Sequence, residues 1–359
     1  MSHAAFFPWQ VQLAKDWLGA RDRFAHAWLI HGLAGIGKRE FALAAAAALL
    51  CENPQHGLAC GKCLACGWLS HGNHPDLKRI RPDALALEEG VEEALGEDAS
   101  DSLTESAASV GSTKKTPSKD IRVDQIRSME PWFNHATHRG GWRVAVIYPA
   151  EALTTISGNA LLKVLEEPPP STVFLLVADA PDRLLPTLLS RCRRLPLPTP
   201  SHVEAMRWLA EQGVKSPQEW LAASGGAPVQ AQRAAQSEAH ACPLWLEGLV
   251  HSLQATRATD LGTLADTVAR LPTASWLDAL SRASVDLNLA AQDLGPRYYP
   301  GLGKSTRAIA VNCDARKLSD LGKWLAEQSR IASHPLNSKL FAQSALQRVV
   351  ASCQPRLNK

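Results

Sequence analysis

Residues 31–40 read His-Gly-Leu-Ala-Gly-Ile-Gly-Lys-Arg-Glu, and this stretch limits the possible folds more than any other. Gly32, Gly35, Gly37 and Lys38 fit the pattern G-x-x-x-x-G-K-[S/T] of a phosphate-binding loop. That pattern works only between a strand and a helix, because the glycines let backbone N–H groups converge on phosphate while the lysine neutralises it. The context is right: the apolar run Trp28–His31 precedes the loop and the Ala-rich run Lys38–Leu50 follows it. One position departs. The residue after Lys38 should carry a hydroxyl that ligates Mg²⁺, and here it is Arg39, whose fixed charge would repel the ion.

The rest of the first half reads as alternating strands and helices. Strands are expected within His74–Ile80, over Trp142–Ala150 and over Thr172–Asp179, the last two almost continuously apolar. An amphipathic helix is expected from about Asp124, and a second over "GNALLKVLEE", stopped by Pro168. "LLSRCRRLPL" leads out of a further helix. Apolar strands alternating with helices argue for a parallel sheet covered on both faces.

After Pro200 the strand signals fade. Short helices are expected over 201–240, around Gly225 and Gly226, and helical apolar spacing runs from Cys242 to Cys353. Trp245, Trp276 and Trp324 are expected to anchor that all-α core. A chain of 359 residues is long enough for two or three domains. The expected division is 1–198, 199–240 and 241–359. Within the first, residues 84–119 carry eight carboxylates between positions 88 and 105 and few large apolar side chains. They are expected to form a flexible acidic insertion, or alternatively an acidic docking segment.

The longest apolar run, Phe41–Cys51, is too short to cross a bilayer, and no basic-plus-apolar leader opens the chain. A cytoplasmic protein with no membrane partner is expected. The net charge of +3 neither demands nor excludes nucleic acid. In that compartment eight cysteines are not expected to pair as disulfides. Cys192, Cys242, Cys313 and Cys353 are scattered and read as buried thiols. Cys51, Cys60, Cys63 and Cys66 cluster as C-x8-C-x2-C-x2-C over 51–66. Two residues between thiolates place both sulfurs on one ion, and four thiolates give Zn²⁺ a closed tetrahedral shell with no position for water. Structural zinc is the expectation, with an iron–sulfur cluster or unmetallated thiols as alternatives.

The missing hydroxyl can be tested elsewhere in the sequence. A hydrolysing loop also needs an acidic residue at the end of a neighbouring strand to support the metal. Here "VAVI" is followed by Tyr148 and Pro149, and Glu151 lies beyond the expected register. Both losses strike one metal site. The loop is therefore expected to keep its shape without turning over its own Mg-ATP.

The stretch "GNALLKVLEEPPPSTVFLLVADAPDRLLPTLLSRCRRLPL", with Ser190-Arg191-Cys192, closely resembles the AAA+ subunits of bacterial clamp loaders. The four-cysteine module behind the phosphate loop is shared with the motor subunits of that family, while Arg39, Tyr148 and Pro149 separate this chain from them. The resemblance implies an AAA+ α/β domain with a zinc module, a small helical lid and an all-α collar domain. The collar would sit in a hetero-pentamer with motor and delta subunits that loads the sliding clamp onto primed DNA in DNA replication. It implies that Arg191 is an arginine finger projected into a neighbour's ATP site, where a permanent guanidinium charge stabilises the transferring γ-phosphate. Ala178 stands near the family's polar sensor, and Val229 or Gln230 near its lid arginine. The competing expectations are an active motor subunit of the same fold, using Glu151 as a substitute metal ligand, and a zinc-dependent DNA-binding adaptor.

Overall fold

The computed structural model describes residues 5–19, 24–90, 117–138, 141–255, 260–332 and 337–354. The chain forms two compact units, Met1–Thr199 and Pro200–Lys359.

The first unit runs α1 (Val11–Gly19), β1 (Ala27–His31), α2 (Lys38–Leu50), α3 (Leu64–Ser70), β2 (Leu77–Ile80), α4 (Asp83–Glu88), α5 (Val123–Arg127), α6 (Glu130–Asn134), β3 (Arg143–Ile147), α7 (Thr155–Glu166), β4 (Thr172–Ala178), α8 (Pro186–Arg191) and β5 (Arg193–Pro196). The five strands are all parallel, in the order β2-β3-β4-β1-β5. Every residue of β3 and β4 is buried. Side chains alternate between two covered faces. Leu29, Ala145, Ile147, Phe174 and Leu176 meet α5, α7 and α8. Trp28, Ile30, Val144, Val146 and Leu175 point to the other face, where α2 lies against β1, β3 and β4. Alanines at 42 and 44–48 are buried in α2, and their small side chains let the helix lie close to the sheet.

The local signals explain most boundaries. The Thr154 hydroxyl accepts the Ser157 N–H at 3.1 Å and starts α7, which ends two residues before Pro168. Two expectations change. The single helix from about Asp124 is two short ones, α5 and α6. Arg193–Pro196 forms a strand that its charge disguised: β5 pairs on one side only, with β1, so its two arginines stay exposed.

Residues 91–116 of the expected acidic insertion lie outside the described residues. Its beginning is ordered: α4 is helical, and the Ala84 N–H donates to the Ser118 carbonyl at 3.0 Å.

The second unit holds α9 (His202–Glu211), α10 (Pro217–Ala223), α11 (Pro228–Ser237), α12 (Leu244–Gln254), α13 (Leu261–Val268), α14 (Thr273–Ala290), α15 (Gly303–Asn312), α16 (Ala315–Ile331) and α17 (Ser338–Ser352). Trp276 is 1 % exposed at the centre of its core, and Trp245 and Trp324 pack against that core partly buried. Ala223 of α10 joins the same core, so the helices before and after 240 share one unit. Buried Asp286 in α14 accepts the backbone N–H groups of Arg297, Tyr298 and Tyr299 at 2.7, 3.0 and 2.8 Å, which ties down the loop before α15. No described helix is long and apolar enough to cross a membrane.

Candidate functional site

The glycine loop sits at the C-terminal end of β1, where His31 pairs with Ala178 of β4 and Pro196 of β5. Gly37 adopts φ +87°, and a Cβ there would stand 2.3 Å from the Phe7 ring; at Gly32 it would stand 2.7 Å from the Leu197 carbonyl oxygen. Both glycines are thus required by close approach as well as by backbone angle. The N-terminal segment clamps the loop. Gln10 Nε2 donates to the carbonyls of Ile36 and Gly37 at 3.1 and 2.9 Å, and Trp9 Nε1 donates to Ile36 at 3.2 Å. Phe7 stacks on Trp9 with ring centroids 4.9 Å apart.

Lys38 is buried and turned onto its own loop. Its Nζ donates to the carbonyls of Gly32 and Leu33 at 2.9 and 2.5 Å and pairs with the Asp179 carboxylate at 2.5 Å. An ammonium has three protons, and these three oxygens take them all. Asp179, just past β4, is held by Glu151, whose Oε1 accepts the N–H groups of Asp179 and Ala180, both at 2.5 Å. Glu151 therefore serves the end of β4. Burial lowers the pKa of His31, helped by the positive charges of Arg194 and Lys38.

The corner where a metal would be supported holds an ion network. Arg39 pairs with Glu40 at 2.7 Å and with Glu89 at 3.0 Å. Glu89 also lies 2.9 Å from Arg81 Nε and accepts the Tyr148 hydroxyl at 2.9 Å. Arg81 and Tyr148 are each 2 % exposed. Burial, then the Glu89 charge, holds the Tyr148 hydroxyl protonated. Two guanidiniums and a phenol converge on one carboxylate, so the cation that neutralises this acid is supplied by the chain itself.

The four cysteines converge as their spacing predicts. A tetrahedron with Zn–S of roughly 2.3 Å separates sulfurs by about 3.8 Å. Here Cys51–Cys63 and Cys60–Cys66 are 3.8 and 4.0 Å apart, and all four sulfurs lie within 4.8 Å of one another. Cys63 caps α3, accepting the Cys66 N–H at 3.4 Å. Backbone N–H groups of Lys62 and Cys63 pull the Cys60 thiol down to about 6. An all-thiolate, closed donor set suits zinc, and Cys51, Cys60, Cys63 and Cys66 would hold it. Of the other cysteines, Cys192, Cys313 and Cys353 are buried and Cys242 is partly so. Burial pushes Cys192 up to about 11.

Arg191 ends α8. Its guanidinium donates to the Thr187 carbonyl at 3.0 Å and pairs with the Glu166 carboxylate at the end of α7. The partner is half exposed, and such pairs hold by only about 0–1 kcal/mol, so little opposes its release.

The structure thus gathers Gly32, Gly35, Gly37 and Lys38 in one loop and the four cysteines in one centre, with Arg191 in neither. Gln10, Arg81, Glu89 and Asp179 complete the loop site and carry no motif. Only the strand-end position of Asp179, one residue after Ala178, hinted at a role.

A five-stranded parallel sheet with a glycine loop after β1, followed by a helical second unit, defines an α/β protein of the phosphate-loop class. The family described as "DNA polymerase III, delta subunit" matches residues 12–201, and the chain belongs to it. It is 39 % identical over 234 residues to DNA polymerase III subunit delta' of Pseudomonas aeruginosa, covering 64 % of this chain and 61 % of that protein. Identity to the Escherichia coli K12 delta' subunit is 34 % over 206 residues, covering 56 % and 52 %. With DNA polymerase III subunit tau of Bacillus subtilis it is 28 % over 174 residues, covering 48 % and 25 %. The matches span 61 % or less of these relatives' lengths. A solved DNA polymerase III gamma-subunit-related protein of Thermotoga maritima, 17 % identical, superimposes with a TM-score of 0.44 over 96 % of this chain and 100 % of that one.

Proposed function

We propose that this chain acts as a non-hydrolysing, delta-prime-type subunit of a DNA polymerase III clamp loader in the cytoplasm. It joins motor and delta subunits in a hetero-pentamer, with residues 199–240 as lid and 241–359 as collar, and helps load the sliding clamp on primed DNA. Zinc at Cys51, Cys60, Cys63 and Cys66 is structural. One observation carries the non-hydrolysing role: the metal corner is filled by Arg39, Arg81, Tyr148 and Glu89. A divalent ion there would meet two guanidiniums already paired with the Glu89 carboxylate.

The chain's part in ATP cleavage is then made through Arg191, which stabilises charge on a neighbour's γ-phosphate. A finger of this kind contributes about 10³-fold or more to phosphoryl transfer. The test is reconstitution with motor and delta subunits. Arg191→Ala is expected to assemble normally and to slow turnover at the adjoining ATP site by about 10³-fold. Unchanged turnover at that site would remove the finger role.

A further inference from the structure

A groove on the α2 side of the sheet edge lies outside the glycine loop and borders the cysteine centre, which contributes Cys66 to its wall. Leu43, Ala44 and Ala47 of α2 and Leu77 of β2 line it, with Leu58 and Leu69 of the cysteine module beside them. Two alanines facing an edge strand leave room that larger side chains would fill. The cavity measures about 380 Å³, within the range of about 300–1,000 Å³ typical of ligand-sized concavities.

Its lining is mostly apolar, with Ser70 and Cys66 at the module side and one cationic side chain, Arg79. The Arg79 carbonyl accepts from Arg81 at 3.3 Å. No carboxylate among the described residues pairs with its guanidinium, which lies beside Gly72, where a Cβ would approach Nη2 to 3.4 Å. Arg81, two residues on, has its carboxylate in Glu89. Arg79 is thus a half-buried cation at an apolar floor, with its planar fork unclaimed.

A guanidinium binds a carboxylate or a phosphate bidentately, and arginines bordered by water-excluding apolar contacts are enriched among binding hot spots of protein partners, whose common anion is the carboxylate. A nucleic-acid backbone needs several cations in a row, and this groove offers one. We propose that the groove docks a short segment of a partner protein that presents two large apolar side chains beside a carboxylate.

The full chain would be titrated against a dye-labelled synthetic peptide containing Asp-Asp-Leu-Phe and a twin containing Lys-Lys-Leu-Phe, read by fluorescence anisotropy. The acidic peptide is expected to bind saturably, about tenfold or more tighter than its twin. Arg79→Glu should invert that order, Arg79→Gln should abolish the preference, and Ala59→Trp at the groove lining should weaken both. On the unaltered chain, the acidic peptide should slow hydrogen exchange in α2 and β2, a readout independent of any variant's folding. No binding at millimolar peptide, equal binding of the twins, or no protection of α2 and β2 would overturn the proposal. So would sedimentation showing a dimer that Arg79→Glu disperses, since the occupant would then be a second copy of this chain.

Discussion

Glu89 decides more at the loop site than any other single side chain. Its carboxylate neutralises buried Arg81 and half-buried Arg39 and accepts the Tyr148 hydroxyl. Removing it leaves one guanidinium buried without its counter-charge, a change that costs about 3–5 kcal/mol when the pair is fully buried and less here, because Arg39 reaches solvent. Glu89→Ala is expected to lower the unfolding free energy of the first unit in urea by about 2 kcal/mol, seen as a lower midpoint at unchanged slope. Arg81→Met in that background should recover part of the loss, because the buried guanidinium left without a counter-charge is gone. A variant as stable as the parent would show that the network is not a structural support. Gly37 makes a simpler case. Gly37→Ala must place a β-carbon at φ +87° against Phe7, at a cost of about 1–2 kcal/mol from backbone conformation alone. Adding Phe7→Ala should relieve the contact but leave that cost, which thermal melts of the two variants would separate.

Elements respond to pH and to metal. His31 at the end of β1 and His74 before β2 both have lowered pKa values, dominated by burial; for His74 the opposing carboxylates Asp76 and Glu52 do not overcome it. Both are held neutral in the fold, while the unfolded chain takes up protons near pH 6.5. Their contribution to stability is therefore complete above about pH 6.5 and is lost as the pH falls toward the folded values. The melting temperature of the first unit should drop on acidification from pH 7.5 to 5, and His31→Gln should flatten that slope. The cysteine module makes a second element-scale case. One zinc per chain is expected by metal analysis, and chelation should increase hydrogen exchange over 51–72 while β3 and β4 stay protected. Retained protection of 51–72 without metal would show that the module folds by packing alone.

The whole molecule should bind and cleave no Mg-ATP alone. Lys38 spends its protons on Gly32, Leu33 and Asp179, and the metal corner already contains its cations. Steady-state phosphate release from the pure chain is expected at background. Turnover abolished by Lys38→Ala would instead make the chain a motor. Arg191 lies outside the loop site, at the end of α8 and paired with Glu166, and such a solvent-reached ion pair can be broken at little cost.

The segments legible from sequence were those governed by short-range rules. The loop and α2 began where the glycines and Lys38 said, β3 and β4 followed continuous apolar runs, and the paired Cys-x2-Cys spacings brought sulfurs to metal-binding distance. The same rules misread β5, because an edge strand need not be apolar, and divided the helix near Asp124 too coarsely. The sequence by itself thus determined the strand–loop–helix, the cysteine centre and the absence of a hydroxyl and carboxylates from the metal site. Only the tertiary structure decided what replaced them. Arg39 meets Glu89 across fifty residues and Tyr148 meets it across fifty-nine. An arginine can pair with any carboxylate, so its partner is chosen by the strand order β2-β3-β4-β1-β5, which sets the ends of β2 and β3 side by side next to α2 and α4.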